Sequence, residues 1–120
     1  MSIRNPHLKS NERSLWLHRA ALLRLLNDRK AVVSVAMENL PLMRRASPNS
    51  GPYIDTWEAL LNGDLVHLVE AMVSLEEEFI ALRQCSPFSG TISAEERDEV
   101  LARFERYWRA NYDVEAGTPD

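Results

Sequence analysis

The chain has 120 residues, 45% of them hydrophobic and 27% charged, with a net charge of −4; this is the balance of one folded domain and not that of a disordered chain. Cys85 is the single cysteine, so no disulfide forms within the chain, and residues 1–14 hold no apolar run like a signal peptide, which makes a cytoplasmic location the expectation. The longest apolar-rich stretch, Leu15 to Leu26, is broken by His18, Arg19 and Arg24 and is too short to cross a bilayer, so no membrane partner is expected.

Apolar residues recur at helical spacing almost throughout. Residues 1–11 read as a flexible N-terminus, residues 12–110 as a single helical domain, and residues 111–120 as a disordered acidic tail. The first helix is expected over about Glu12 to Asn27, where Leu15, Trp16, Ala20, Leu22, Leu23, Leu25 and Leu26 cover more than one face. Such a helix is central in its fold or faces another subunit. Asp28 is placed to cap a second helix whose stripe is Val33, Ala36, Met37, Leu40 and Met43 or Arg44, and which Pro41 must kink or end. The stretch Ser47-Pro48-Asn49-Ser50-Gly51-Pro52 is the clearest loop.

A third helix opens at Pro52, with Tyr53, Ile54, Trp57, Leu60 and Leu61 on one face, and Gly63 ends it. Asp64 starts a short fourth helix with Leu65, Leu68, Val69 and Met72. Ser74 and Glu77 match a capping box that would open a fifth helix with Leu75, Phe79 and Leu82; Ser93 and Glu96 match a second. The last helix, Ala94 to about Ala110, carries Val100, Leu101, Phe104, Tyr107 and Trp108 at spacings of one, three and four. No segment reads as a strand. The expected fold is all-α, a compact bundle of five or six short helices around a single core.

Charge divides the chain. Residues 1–50 hold nine basic and three acidic side chains, a net of +6, whereas residues 51–120 hold five and fifteen, a net of −10. The two parts can neutralise each other within the fold, or each can steer an oppositely charged partner. Arg13, Arg24, Arg29, Lys30, Arg44 and Arg45 are the candidates for a basic surface facing nucleic acid. The fourth and fifth helices have the outline of a helix-turn-helix, but Glu76, Glu77 and Glu78 stand where a recognition helix would meet phosphates.

Nothing in the spacing carries catalysis. His7, His18 and His67 have no second ligand at a zinc-binding interval, and Cys85 has no motif that nominates a base. The four glycines are scattered singly, without a phosphate-cradling loop. The glutamates at 76–78, 95 and 96 fall in first helical turns, where they complement the helix dipole. No catalytic residue, metal or cofactor is therefore expected.

The most distinctive stretch is Leu82-Arg83-Gln84-Cys85-Ser86-Pro87-Phe88-Ser89-Gly90-Thr91-Ile92-Ser93-Ala94-Glu95-Glu96-Arg97. Arg83 near a helix end can bond free carbonyls, Pro87 stops the helix, Phe88 can anchor the turn in the core, and Gly90 permits a sharp bend. Together with Ser14-Leu15-Trp16-Leu17-His18-Arg19-Ala20 and Trp57-Glu58-Ala59-Leu60-Leu61, this stretch resembles small uncharacterised bacterial helical proteins with a Leu-Arg-Gln-x-Ser-Pro-Phe-x-Gly turn before the last helix, some of them similar to members of toxin and antitoxin gene pairs. The resemblance implies a protein partner.

Arg83, Gln84, Ser86 and Phe88 are the partner-binding candidates. The leading expectation is a non-enzymatic protein-interaction module, antitoxin-like or regulatory. The alternative is a DNA-binding regulator using the basic half, and the third is an enzyme, which requires a concave pocket with convergent polar groups. A homodimer through the first helix, with Trp16 or Leu17 exposed at its contact, is a further expectation.

Overall fold

The computed structural model describes residues 8–113 of the chain. Among them are six α-helices and no strand, in the order α1 (Leu8–Asn27), α2 (Arg29–Ala46), α3 (Gly51–Asn62), α4 (Leu65–Val73), α5 (Glu77–Arg83) and α6 (Ala94–Trp108). A 3-10 turn, Pro48–Ser50, precedes α3, and a π-helical turn, Arg109–Asp113, follows α6.

The sequence places the start of α1 at Glu12, yet the helix begins four residues earlier, at Leu8. Its first turns are tied down from two sides. Lys9 Nζ meets a Glu105 carboxylate oxygen at 2.9 Å, the Tyr107 hydroxyl donates to Glu12 at 3.1 Å, and Gln84 donates to the Asn11 side chain at 2.5 Å. Residues 8–11 are thus part of the domain, while the rest of the expected flexible N-terminus lies outside the described residues. The expected disordered tail begins too early for the same kind of reason. Helical backbone continues to Asp113, and the Tyr112 ring stacks on Trp108 with centroids 4.0 Å apart; residues 114–120 of the tail fall outside the described residues.

Asp28 caps α2 as its sequence requires, its carboxylate accepting from the Ala31 N–H at 3.2 Å. Pro41 does not end the helix, which runs on to Ala46. Its ring is exposed and takes no room from the core, so the cost falls on the helix itself, in one missing backbone donor and the crowding of the ring against the carbonyl one turn earlier. Gly63 closes α3 through its N–H to the Leu60 carbonyl at 3.2 Å.

The expected capping box at Ser74 does not form. Ser74 terminates α4, with its N–H on the Glu70 carbonyl at 2.8 Å, and its hydroxyl accepts from the Glu76 N–H at 3.1 Å in a local turn. Helix α5 therefore begins at Glu77, which leaves Leu75 outside the helix and exposed. At Ser93 the capping bond is present: the hydroxyl accepts from the Glu96 N–H at 3.0 Å.

Helix α1 packs against α2, α4, α5 and α6, the central placement that its broad apolar coverage allows. The core on one side of it joins Ala21 and Leu25 to Val32, Ala36 and Leu40 of α2, Ile54, Trp57 and Leu61 of α3, and Leu68, Ala71 and Met72 of α4. The Trp57 indole N–H is not left unpaired in that core, since it donates to the Leu82 carbonyl at 3.0 Å and so fixes the end of α5.

An aromatic seam docks α6 on the outer side of α1. Trp16 lies 5.5 Å from Phe104 and 5.1 Å from Tyr107, centroid to centroid, and the Arg13 guanidinium stands 5.9 Å over the Phe104 ring. Trp16 is consequently half-buried. Leu17 is half-buried too, so neither is the exposed anchor that a dimer contact through them would need.

Candidate functional site

The segment from Arg83 to Ile92 links α5 to α6 and is held from three sides. Asn39 of α2 donates through Nδ2 to the carbonyls of Pro87 and Ser89, both at 2.8 Å. Thr91 closes the turn on itself, its hydroxyl and its N–H both donating to the Phe88 carbonyl, at 2.6 and 3.2 Å. Gly90 has φ +82°, a conformation that a side chain would strain, so the bend needs a glycine at this point. Helix α5 already ends at Arg83, before Pro87 can stop it, and Pro87 is instead fully buried in the turn.

Helix α1 supplies the third restraint through His18. Its Nδ1 lies 2.7 Å from the Ser14 carbonyl oxygen, which can only accept, so the proton sits on Nδ1. Nε2 is left with a lone pair, and the Ser86 hydroxyl donates to it at 2.6 Å. The Ser86 oxygen in turn accepts from the Phe88 N–H at 3.3 Å. A carbonyl, an imidazole and a hydroxyl therefore stand in series, joining residues 68 positions apart in the chain.

The Phe88 ring packs edge-on against His18 and Trp57, at centroid distances of 5.7 and 5.3 Å. His18 is 6% exposed. Burial, with a smaller effect from the Arg83 charge and against the pull of the Ser14 carbonyl, lowers its pKa from 6.5 to about 4, so the ring is neutral at pH 7.

Beside the pair is a cavity of about 220 Å³. Leu17, His18 and Ala21 form its α1 wall, the turn from Ser86 to Ile92 forms the facing wall, and Arg97 of α6 stands on its lining. This is a concave site with convergent polar groups, the feature an enzymatic reading requires. Among the described residues no three His, Cys, Asp or Glu side chains gather to hold a metal ion; His7 lies outside the described residues, and His67 is exposed.

The four residues nominated for partner binding have internal work. Arg83 is 4% exposed, and it reaches back to the end of α4, where Nη1 donates to the Ala71 carbonyl at 3.0 Å and Nη2 to the Ser74 carbonyl at 2.7 Å. The helix end it satisfies is α4, not its own helix α5. The negative end of the α4 dipole takes the place of a carboxylate counter-ion. Burial, and then the charge of Arg19, lower the Arg83 pKa. Ser86 is engaged with His18, Phe88 is buried, and Gln84, the one exposed member of the four, bonds to Asn11.

Arg83→Ala is expected to cost about 1 to 3 kcal/mol, the range for buried groups left without a partner. Partner capture should weaken only as far as the fold does. A variant that melts with the parent and still loses its partner would assign Arg83 to recognition instead.

Four of the six basic candidates are engaged within the fold. Arg24 pairs with Glu96 at 3.4 Å, Arg44 with Asp55 at 2.8 Å and Glu58 at 3.2 Å, and Arg29 donates to the Gly63 carbonyl at 3.1 Å. Arg13 leans on Phe104, while Lys30 and Arg45 are exposed. Arg24 and Arg44 thus join the basic part of the chain to the acidic part, through exposed pairs worth about 0.2 to 1 kcal/mol each. No protein-family model, curated protein or solved structure matches this chain.

Proposed function

We propose that this chain acts by binding another protein, as an antitoxin-like or regulatory partner does. The observation that carries this reading is on α1. Leu23 and Leu26 are 71% and 60% exposed on the central helix of the fold. With exposed Arg19 they recur at intervals of four and three residues, so the three form one stripe along the helix. Burying an exposed leucine contributes about 1.5 to 3 kcal/mol, so two of them give a partner protein an apolar anchor of useful size. The binding surface is accordingly assigned to this stripe and not to the turn after α5, whose Arg83 and Phe88 are buried.

Binding to DNA has less support, because Glu96, Asp55 and Glu58 stand against Arg24 and Arg44 and interrupt a continuous basic face.

The test is affinity capture from the native host at endogenous expression, with the parent and a Leu23→Glu/Leu26→Glu variant. Surface substitutions of this kind change stability by about 0.5 kcal/mol or less, so both proteins should melt together. The parent is expected to retain one stoichiometric protein partner and the variant to lose it at least about tenfold, the equivalent of 1.4 kcal/mol. Failure of the parent to retain any partner, or equal retention by both, would overturn the proposal. Light scattering on the purified parent identifies the case in which the partner is a second copy of the chain, which doubles the mass.

A further inference from the structure

The His18 and Ser86 contact is built like more than a clamp between a helix and a turn. A helix-to-turn bond needs only a donor and an acceptor. Here the acceptor is itself oriented by a third group, with Ser14 O fixing Nδ1–H and so aiming the Nε2 lone pair at the hydroxyl, at 2.7 and 2.6 Å. Nucleophile, base and orienting group in sequence are the arrangement that nucleophilic catalysis uses. The pair also faces open space, since both residues line the cavity of about 220 Å³.

From these contacts we infer that Ser86 is a nucleophile with His18 as its base, and that the cavity beside them takes a small activated carboxylic ester. In the first step the Ser86 oxygen bonds to the acyl carbon while its proton passes to His18 Nε2. The bond from the acyl carbon to the leaving oxygen then breaks, and that oxygen takes the proton from His18. Water next attacks the acyl group on Ser86, giving its proton to Nε2, and the returning proton frees the serine hydroxyl. The sum is ester plus water to carboxylic acid plus alcohol.

Three features define the substrate class. The cavity volume is below the roughly 300 Å³ at which drug-sized sites begin, so the acyl group is short. Leu17, Ala21 and Ile92 give it an apolar wall, and Arg97 puts a cation on the same lining, which favours a substrate that develops negative charge. Burial and the Arg83 charge disfavour the imidazolium that forms as the serine proton is taken, so His18 is a weak base and the attack needs an activated acyl carbon. Aryl esters meet that condition and simple alkyl esters do not.

This inference is independent of partner binding, because the α1 stripe and the Ser86 hydroxyl are different groups. The full chain is treated with a fluorophosphonate and the adduct is mapped by peptide mass; separately, hydrolysis of p-nitrophenyl butyrate is followed in the parent and in Ser86→Ala. The expected results are an adduct on Ser86 and a turnover at least about 100-fold higher in the parent, the lower end of what a positioned base contributes. The labelling needs no variant, so it remains decisive if Ser86→Ala is poorly folded. A folded parent that carries no adduct on Ser86 overturns the assignment, as does a folded Ser86→Ala that hydrolyses the ester at the parent's rate. Capture of the protein partner by Ser86→Ala is expected to persist under either result.

Discussion

Phe88→Ala is expected to lower the unfolding free energy by about 3 to 5 kcal/mol, the range for truncating a fully buried aromatic ring. Phe88 is 6% exposed and meets two rings edge-on, His18 at 5.7 Å and Trp57 at 5.3 Å. The hole left by its side chain would be hard to fill. Asn39 holds the carbonyls on either side of Phe88, and His18 holds Ser86, so the turn cannot settle inward without giving up those bonds. This places the expected loss in the upper part of the range, because the cost of a cavity grows with how little the surroundings relax. Urea unfolding should show a lower midpoint with an unchanged slope. A loss below about 1 kcal/mol would mean that the ring does not anchor the turn.

The fate of this segment illustrates what the sequence can and cannot reveal. Helical periodicity identified all six helices, and Trp57, Leu61, Leu68, Met72, Phe104 and Trp108 are buried on the faces that it selected. Local chemistry was also legible where one side chain acts on its neighbours, as at Asp28 and Ser93. It failed at Ser74, which is occupied in ending α4 before it can start α5, and it left open whether Pro41 kinks or ends α2, which runs on to Ala46.

Arg83 was read as a helix-end cation with a second role in recognition, and its partners proved to be carbonyls of a different helix. The site itself was least visible. His18 has no partner at any short interval because Ser86 is 68 positions away, and no spacing rule connects a helix residue to a turn packed on it. The exposed stripe at Leu23 and Leu26 was hidden for the converse reason. Apolar coverage around α1 marked it as central without indicating which leucines remained open.

The second large effect is the pH dependence of stability set by His18. In the unfolded chain an imidazole has a pKa near 6.5, whereas in the fold burial, aided by the Arg83 charge, lowers that of His18 to about 4. The unfolded state therefore binds more protons throughout the interval between these values, and stability must fall as pH falls. The contribution is fully present above the unfolded value and is lost progressively as pH descends to about 4, a difference on the order of 3 kcal/mol. Proton uptake at Nε2 also reverses the contact with Ser86, whose oxygen then has to accept from the ring where its hydroxyl had donated. His18→Gln removes the titrating group and keeps an amide able to accept from the serine. Denaturant unfolding at pH 7, 5.5 and 4.5 is expected to show a steep decline for the parent and a shallower one for the variant, the carboxylates that titrate nearby being common to both. Equal slopes for the two proteins would show that His18 is as easily protonated in the fold as in the unfolded chain, and the buried, neutral imidazole would have to be abandoned.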